Sequence, residues 1–321
     1  MTLEAQYHKG TGAVDVVAAA TLNSGEVLQL PDGRAAVKQG IKDAVSGDYT
    51  TLATEGRFVL QKTDAINILD GGRVFWDRSA GKANYKMASG DFFVGVAVAD
   101  AAAADTTVVV DLNVRPRYEI NLPPYNYEGL DTWVTEDTNG LGVVQDTVDN
   151  IFTLAFDAVA EAAQAALISG HSIPVADGPI FEAEIAIFDE GDAANLDINF
   201  GLANASDADD ADDITEAVFF HLDGSALSIL AESDDGTTEV AATDTTKDAV
   251  DDTYAEYWID ARDLADVKLY IDGVRVLSGS TFKLDAATGP MKALVHLEKT
   301  SNDTLADVRV RALRVRSTDL G

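Results

Sequence analysis

Thr54 to Asp77 reads TEGRFVLQKTDAINILDGGRVFWD, short apolar runs separated by Gly- and Asp-rich breaks, and this pattern predicts an all-β frame. Thr54-Glu55-Gly56 punctuates the chain. Arg57 to Gln61 is a short strand with Phe58 and Leu60 on one face. Leu69-Asp70-Gly71-Gly72 forms a tight turn, because glycine tolerates the positive φ that such turns require. Arg73 to Asp77 is the return strand of a hairpin-like unit. Nothing here has the makings of an active site; Phe58, Leu60, Val74 and Trp76 read as core.

Similar segments flank this unit on both sides. Ser24-Gly25 opens a strand to Leu30, Pro31-Asp32-Gly33 turns, and Arg34 to Lys38 returns. Ser79-Ala80-Gly81 leads into Ala83–Met87, and Ser89-Gly90-Asp91 into Phe92–Ala99. Thr106 to Val114 follows, with Val108, Val110 and Leu112 on one face. Many short strands, Gly-rich turns and no helical stripe predict a small barrel, β-tulip-like module or sandwich. Met1 to Ala20 is weakly patterned and reads as an arm that orders only against a neighbour. Lys9-Gly10-Thr11-Gly12 lacks the spacing of a phosphate-binding loop, so no nucleotide site is expected.

Arg115 to about Gly142 is a boundary, where Pro116, Pro123 and Pro124 interrupt any sheet and Tyr118, Tyr125, Tyr127 and Trp133 cluster. Residues 1–115 are thus one module, 116–140 a Pro/aromatic linker and 141–321 a second domain. In the second domain Phe181, Ala183, Ile185 and Ile187 alternate with polar or small residues, and Leu196, Ile198, Phe200 and Leu202 repeat the pattern. Val218 to Leu222 and Met291 to Leu297 are further strands. VKLYIDGVRVL, Val267 to Leu277, is the clearest hairpin, with Asp272-Gly273 as a type I′ turn. Ala158 to Ile168 has the composition of a helix, since alanine is the best helix former. The closing stretch ADVRVRALRVR flips phase at Ala312, so Leu313 and Val315 stay buried only through a bulge. Four arginines then share one exposed face, compensating acidic neighbours.

The full chain of 321 residues carries 23 Lys and Arg against 55 Asp and Glu, a net charge of −32. Residues 1–115 carry 11 against 14, net −3, and residues 116–321 carry 12 against 41, net −29. So acidic a surface repels nucleic acid and anionic membranes. Two readings fit this division: adaptation to a salty environment, or a near-neutral first part that touches a partner while the acidic part faces solvent. No apolar run reaches the ~18–20 residues of a membrane span, no signal peptide is expected, and cysteine is absent.

Candidates for chemistry are sparse. NASDADDADDI, Asn204 to Ile214, offers Asp207, Asp209, Asp210, Asp212 and Asp213 as a weak calcium site, though it lacks the glycine and distal glutamate of an EF-hand loop. His8, His171, His221 and His296 show no H-x-x-x-H spacing, and His221 and His296 fall on the outer faces of strands. With no G-x-S-x-G elbow and no carboxylate pair singled out, no enzyme and no cofactor are expected.

Taken together, Ser24-Gly25-Glu26-Val27, Thr54-Glu55-Gly56 with Phe58, Leu60 and Lys62, Gly71 to Asp77, and DFFVGVAVADAAAADTTVVVDLN from Asp91 to Asn113 resemble the phage capsid cement, or decoration, proteins. That resemblance implies a β-rich module related to lambda-type head decoration proteins, commonly a homotrimer on the outer capsid surface of the virion that clamps the major capsid protein. Leu3, Tyr7, Val14 and Val16 are the residues then expected at the capsid contact. Residues 140–321 resemble a concanavalin- or laminin-G-like jelly roll, which implies strand rather than helix at Ala158–Ile168. Some such sandwiches bind glycans, and Tyr125, Tyr127 and Trp133 are the candidate contacts for that alternative.

Overall fold

The computed structural model describes residues 12–115, 119–121, 133–139, 142–146, 151–188, 196–207, 209–224, 226–303, 305 and 307–317. Among them there is no α-helix; the chain is almost entirely antiparallel strand. It forms two compact units, Met1–Arg117 and Tyr118–Gly321.

In the first unit, strands β1 (Ala13–Val17), β2 (Val27–Gln29), β3 (Ala35–Lys38) and β4 (Tyr49–Ala53) form a sheet of order β1-β4-β3-β2. Strands β5 (Arg57–Gln61), β6 (Arg73–Asp77), β7 (Lys82–Asn84), β8 (Phe92–Ala97) and β9 (Thr107–Leu112) form another, of order β5-β9-β8-β6-β7. The Leu69–Gly72 turn is present: the Gly72 amide donates to the Leu69 carbonyl at 2.9 Å, with Gly71 at φ 72°. However, β5 and β6 do not pair as a hairpin. β5 lies against β9, with Phe58 opposite Val110 and Leu60 opposite Val108, while β6 lies between β7 and β8. The connector explains this. Lys62 is fully buried, its ammonium donating to the Thr63 and Ile66 carbonyls, and Ile68 bridges to Ala101, which carries the chain across the sheet.

Part of the expected arm is a strand of the module itself. β1 pairs with β4 from Ala13↔Ala53 to Val17↔Tyr49. Val14 and Val16 are half-buried and pack on Leu30, Ala36 and Leu52, so part of each side chain serves the module's own core. Asn113 ties β3 to the end of β4. Its carboxamide oxygen accepts from the Ala35 amide at 2.8 Å, and its nitrogen donates to the carbonyls of Ala35 and Thr54 at 2.9 and 2.7 Å. It does so at φ 58°, a left-handed conformation that asparagine tolerates better than most residues.

The second unit is a sandwich of two antiparallel sheets. Its strands are β10 (Glu119–Asn121), β11 (Trp133–Thr138), β12 (Val143–Asp146), β13 (Ile151–Ala155), β14 (Glu161–Ser169), β15 (Ile173–Pro174), β16 (Pro179–Phe188), β17 (Leu196–Ala203), β18 (Glu216–Asp223), β19 (Ser228–Asp235), β20 (Glu239–Asp248), β21 (Ala255–Asp260), β22 (Lys268–Ile271), β23 (Val274–Val276), β24 (Pro290–Asn302) and β25 (Asp307–Ser317). One sheet runs β12-β13-β25-β16-β21-β22-β23, with β10 also on β25. The other runs β11-β14-β24-β17-β18-β19-β20, with β15 on β24. Within the segment expected to be linker, β10 and β11 are therefore strands of this unit. Phe152, Phe181, Ile185 and Ile259 meet Phe200, Phe220, Val295 and Leu297 in the shared core. Phe200 and Phe220 stack there at 5.6 Å between ring centres, and Tyr257 meets both edge-to-face at 4.7 and 5.2 Å.

Glu161–Ser169 is a strand despite its alanines. It is held between β11 and β24 and buried along most of its length, so sheet pairing overrides local propensity. Ile271 pairs with Val274 around Asp272 and Gly273, at φ 49° and 74°, as a type I′ turn requires. In β25 the register with β16 shifts so that Ile185 faces Val310 and Glu184 faces Ala312. Arg311 is the extra residue, and Val308, Val310, Leu313 and Val315 all remain buried. The four arginines are ion-paired, but not all are exposed. Arg316 and Glu182 are buried, and Glu182 also takes Arg314, while Arg311 meets Glu184 at 2.8 Å and Arg309 meets Asp307 at 3.0 Å. Burial opposes ionisation of Glu182, yet the two guanidiniums bring its pKa down to about 2.

Replacing Asn113 with Ala removes three hydrogen bonds and puts a Cβ residue without side-chain compensation at positive φ. The expected cost to the first unit is about 2–3 kcal/mol in urea unfolding, with most of it persisting in Asn113→Gly, where only the φ strain is relieved.

Candidate functional site

The outward face of the second sheet carries a buried polar cluster. Along β17, Leu196, Ile198, Phe200 and Leu202 point into the core, which turns Asp197 and Asn199 outward. Pairing then sets the neighbours. Asn199 stands opposite His221 on β18 and His296 on β24, and Asp197 stands opposite Asp223 and Glu298. Glu232 comes from β19 and Gln164 from β14, opposite Phe219 and Glu298.

Normally an outward face would be wet. Here the loop between β17 and β18 folds back over the sheet, and its Ala211 and Ile214 bury against Ala166, Ile168, Ala203, Ala217, Phe219 and Leu294. Glu216 fastens the base of this loop, accepting from the Thr288 and Gly289 amides at 3.0 and 2.9 Å and from the Asn204 carboxamide at 2.8 Å. This fold-back delivers Asp212 to the strands. The Asn199 carboxamide donates to its Oδ1 at 2.5 Å.

The five loop aspartates separate into different roles. An Asp207 oxygen accepts from the amides of Asp209 and Asp210, and Asp210 accepts from the amide of Asp212, capping a short 3-10 turn at Ala211–Asp213. Of the five, Asp212 meets Asp197 and His221: one ligand atom from each of these three lies within 4.8 Å of the others.

His221 is clamped on both ring nitrogens. Its Nε2 lies 3.0 and 3.2 Å from the two Asp197 oxygens, and its Nδ1 lies 3.4 Å from Glu232 and 3.7 Å from Asp212. Burial opposes its charge, but the hydrogen bond to Asp197 and the negative charges of Asp197 and Glu232 push its pKa up to about 11. Burial pushes His296 the other way, to about 4. Burial, reinforced by Asp197, Asp210 and Asp212, raises Glu298 to about 8, and burial also raises Asp197 and Glu232. Several buried atoms here lack a hydrogen-bond partner among the described residues: Asn199 Oδ1, His221 Nδ1, Glu232 Oε1, His296 Nε2 and Glu298 Oε2. Chemically the cluster offers oxygen and nitrogen donors crowded around an excess of negative charge.

The outer-face placement of His221 and His296 follows from strand alternation. Their convergence does not, because the cluster draws on five strands and one loop and no short spacing motif joins them. Of the proposed glycan contacts, Trp133 is buried in the sandwich core, so its ring is not offered to a ligand at the surface. Leu3, Tyr7, Tyr125 and Tyr127 lie outside the described residues.

Residues 7–112 match the family model described as phage cement protein. No curated protein matches the chain. Among solved structures, the chain is similar to the carbohydrate recognition domain of Emp47p at 11% identity, covering 62% of this chain and 95% of that one, with a TM-score of 0.45. It is also similar to a glycoside hydrolase family 16 endo-glucanase from Bacteroides ovatus at 12% identity, covering 61% and 99%, with a TM-score of 0.44.

The pH response of the cluster has a definite sign. With Glu298 at about 8 in the fold and near 4.5 when unfolded, the folded chain holds a proton that the unfolded chain has released. Its contribution to stability therefore falls as pH rises from about 4.5 to about 8. Glu298→Gln, neutral throughout, is expected to lose less melting temperature across that range than the parent chain. Equal losses in calorimetric melts contradict this.

Proposed function

We propose that this chain is a structural protein of a phage virion that cements the capsid, docking through its first unit on the major capsid protein and carrying the acidic second unit on the outer surface. The observation that carries the reading is the cement-family match over residues 7–112. The charge division supports it, since a unit of net −3 approaches a protein shell more easily than one of net −29.

The first unit also presents an apolar surface suited to docking. Val17 and Tyr49 are paired across β1 and β4 and are 54% and 86% exposed, and Val45, in the turn before β4, is 56% exposed. Among the described residues β1 is an edge strand, a position that suits strand addition as well. Contacts repeated across a symmetric shell, by copies grouped as trimers, make individually weak docking effective. The protein acts here by binding and not by catalysis. The glycan-contact alternative has lost Trp133 to the core, and among the described residues nothing in the sandwich favours it over cementing.

Binding to cognate capsids tests this. The full chain and residues 1–117 are expected to sediment with capsids, and residues 118–321 are expected to stay in the supernatant. The double substitution Val17→Ser with Tyr49→Ser is expected to weaken binding of the full chain at least tenfold. Sedimentation by residues 118–321 alone, without any by residues 1–117, contradicts the assignment.

A further inference from the structure

Docking through the first unit leaves the polar cluster of the second unit without a role, and its geometry calls for a ligand of its own. Three carboxylates, Asp197, Asp212 and Glu232, surround one imidazole on a face that the loop has covered. A buried excess of anionic oxygen costs stability unless a cation neutralises it. Two nine-tenths-buried polar side chains point into the same place with atoms unmatched. His221, 5% exposed at its side chain, turns a partnerless Nδ1 toward Glu232 and Asp212. Asn199, 1% exposed, has its carboxamide against Asp212 and an unmatched Oδ1.

We propose that His221 Nδ1, Asp212 and Glu232 bind a divalent first-row transition metal of the zinc class, with Asp197 holding the other ring nitrogen. The spacing suits such an ion. Around a metal with bonds of ~2.1 Å, tetrahedral ligand atoms stand ~3.4 Å apart, and Nδ1 lies 3.4 Å from Glu232 Oε2 and 3.7 Å from Asp212 Oδ1. Asp197 Oδ2 accepts from Nε2 at 3.2 Å, which fixes the tautomer with its lone pair on Nδ1. A carboxylate behind a histidine ligand commonly does this. Asp212 is the most exposed of the set, at 38%, so solvent reaches the remaining coordination position.

The donor set decides the class of ion. Calcium and magnesium take oxygen ligands almost exclusively, whereas an imidazole with carboxylates suits zinc and its neighbours. On binding, the imidazolium proton of His221 passes to solvent, and the metal takes the nitrogen lone pair that the proton held. Since Asp212 belongs to the loop while His221 and Glu232 belong to strands, the ion joins the loop to the sheet. This makes it a structural fastener of the second unit.

The test uses the full chain stripped with chelator and titrated with Zn2+ in a calorimeter, alongside thermal melts. One equivalent per chain is expected to bind and to raise the melting temperature, with Ca2+ at tenfold higher concentration failing to compete. Asp212→Asn is expected to weaken Zn2+ at least tenfold and His221→Gln a hundredfold, while Asp213→Asn in the same acidic run leaves it unchanged. If His221→Gln fails to fold, Asp212→Asn decides the matter, because its side chain sits on the loop surface. Absence of saturable uptake overturns the proposal, as does uptake that Asp212→Asn leaves intact or that Asp213→Asn reduces equally.

Discussion

A sheet that is apolar on both faces must be covered on both, and this constraint shapes the second unit. The inward residues of β17, β18 and β24 pack in the sandwich core. Their outward neighbours Ala203, Ala217, Phe219 and Leu294 would face water if nothing lay above them. The β17–β18 loop supplies Ala211 and Ile214 for that purpose. Closing over the sheet brings Asp212 beside Asn199 and His221 and removes solvent from carboxylates that would otherwise be unremarkable. The site's unusual protonation is thus a consequence of hydrophobic burial a few residues away.

The two units meet different demands. The first spends little charge and leaves Val17, Val45 and Tyr49 exposed on a short-stranded scaffold, with Asn113 and the buried Lys62 holding its loops through backbone carbonyls. The second carries nearly all of the negative charge. It keeps itself together by a large shared core and by matching its acidic residues to the arginines of β25. Those pairs lie in register on adjacent strands, Glu182 beside Arg314 and Glu184 beside Ala312 next to the bulge.

Where the information is local, the sequence could be read closely. Glycine and aspartate placed the Asp272-Gly273 turn, and the phase break at Ala312 located a bulge that the pairing of β25 displays. Arg57–Gln61 and Arg73–Asp77 are strands at the expected bounds. Where the information is non-local, reading failed. Nothing within Thr54–Asp77 says that β5 prefers β9 to β6. YTTLA at Tyr49 has too few apolar residues to announce β4, and β1 looked like an arm because its core contacts come from Leu30, Ala36 and Leu52. The same limit hid the polar cluster. Each residue's outward face follows from alternation, but which outward residues meet depends on cross-strand register and on where a loop of acidic residues comes to rest.

Cementing a shell is the central claim, and a reconstruction of the intact virion tests it most directly. The account predicts density for residues 12–115 seated on the major capsid protein, with Val17 and Tyr49 covered at the contact and the acidic sandwich farther from the shell. A reconstruction with the sandwich against the capsid and the first unit free of it would contradict the account.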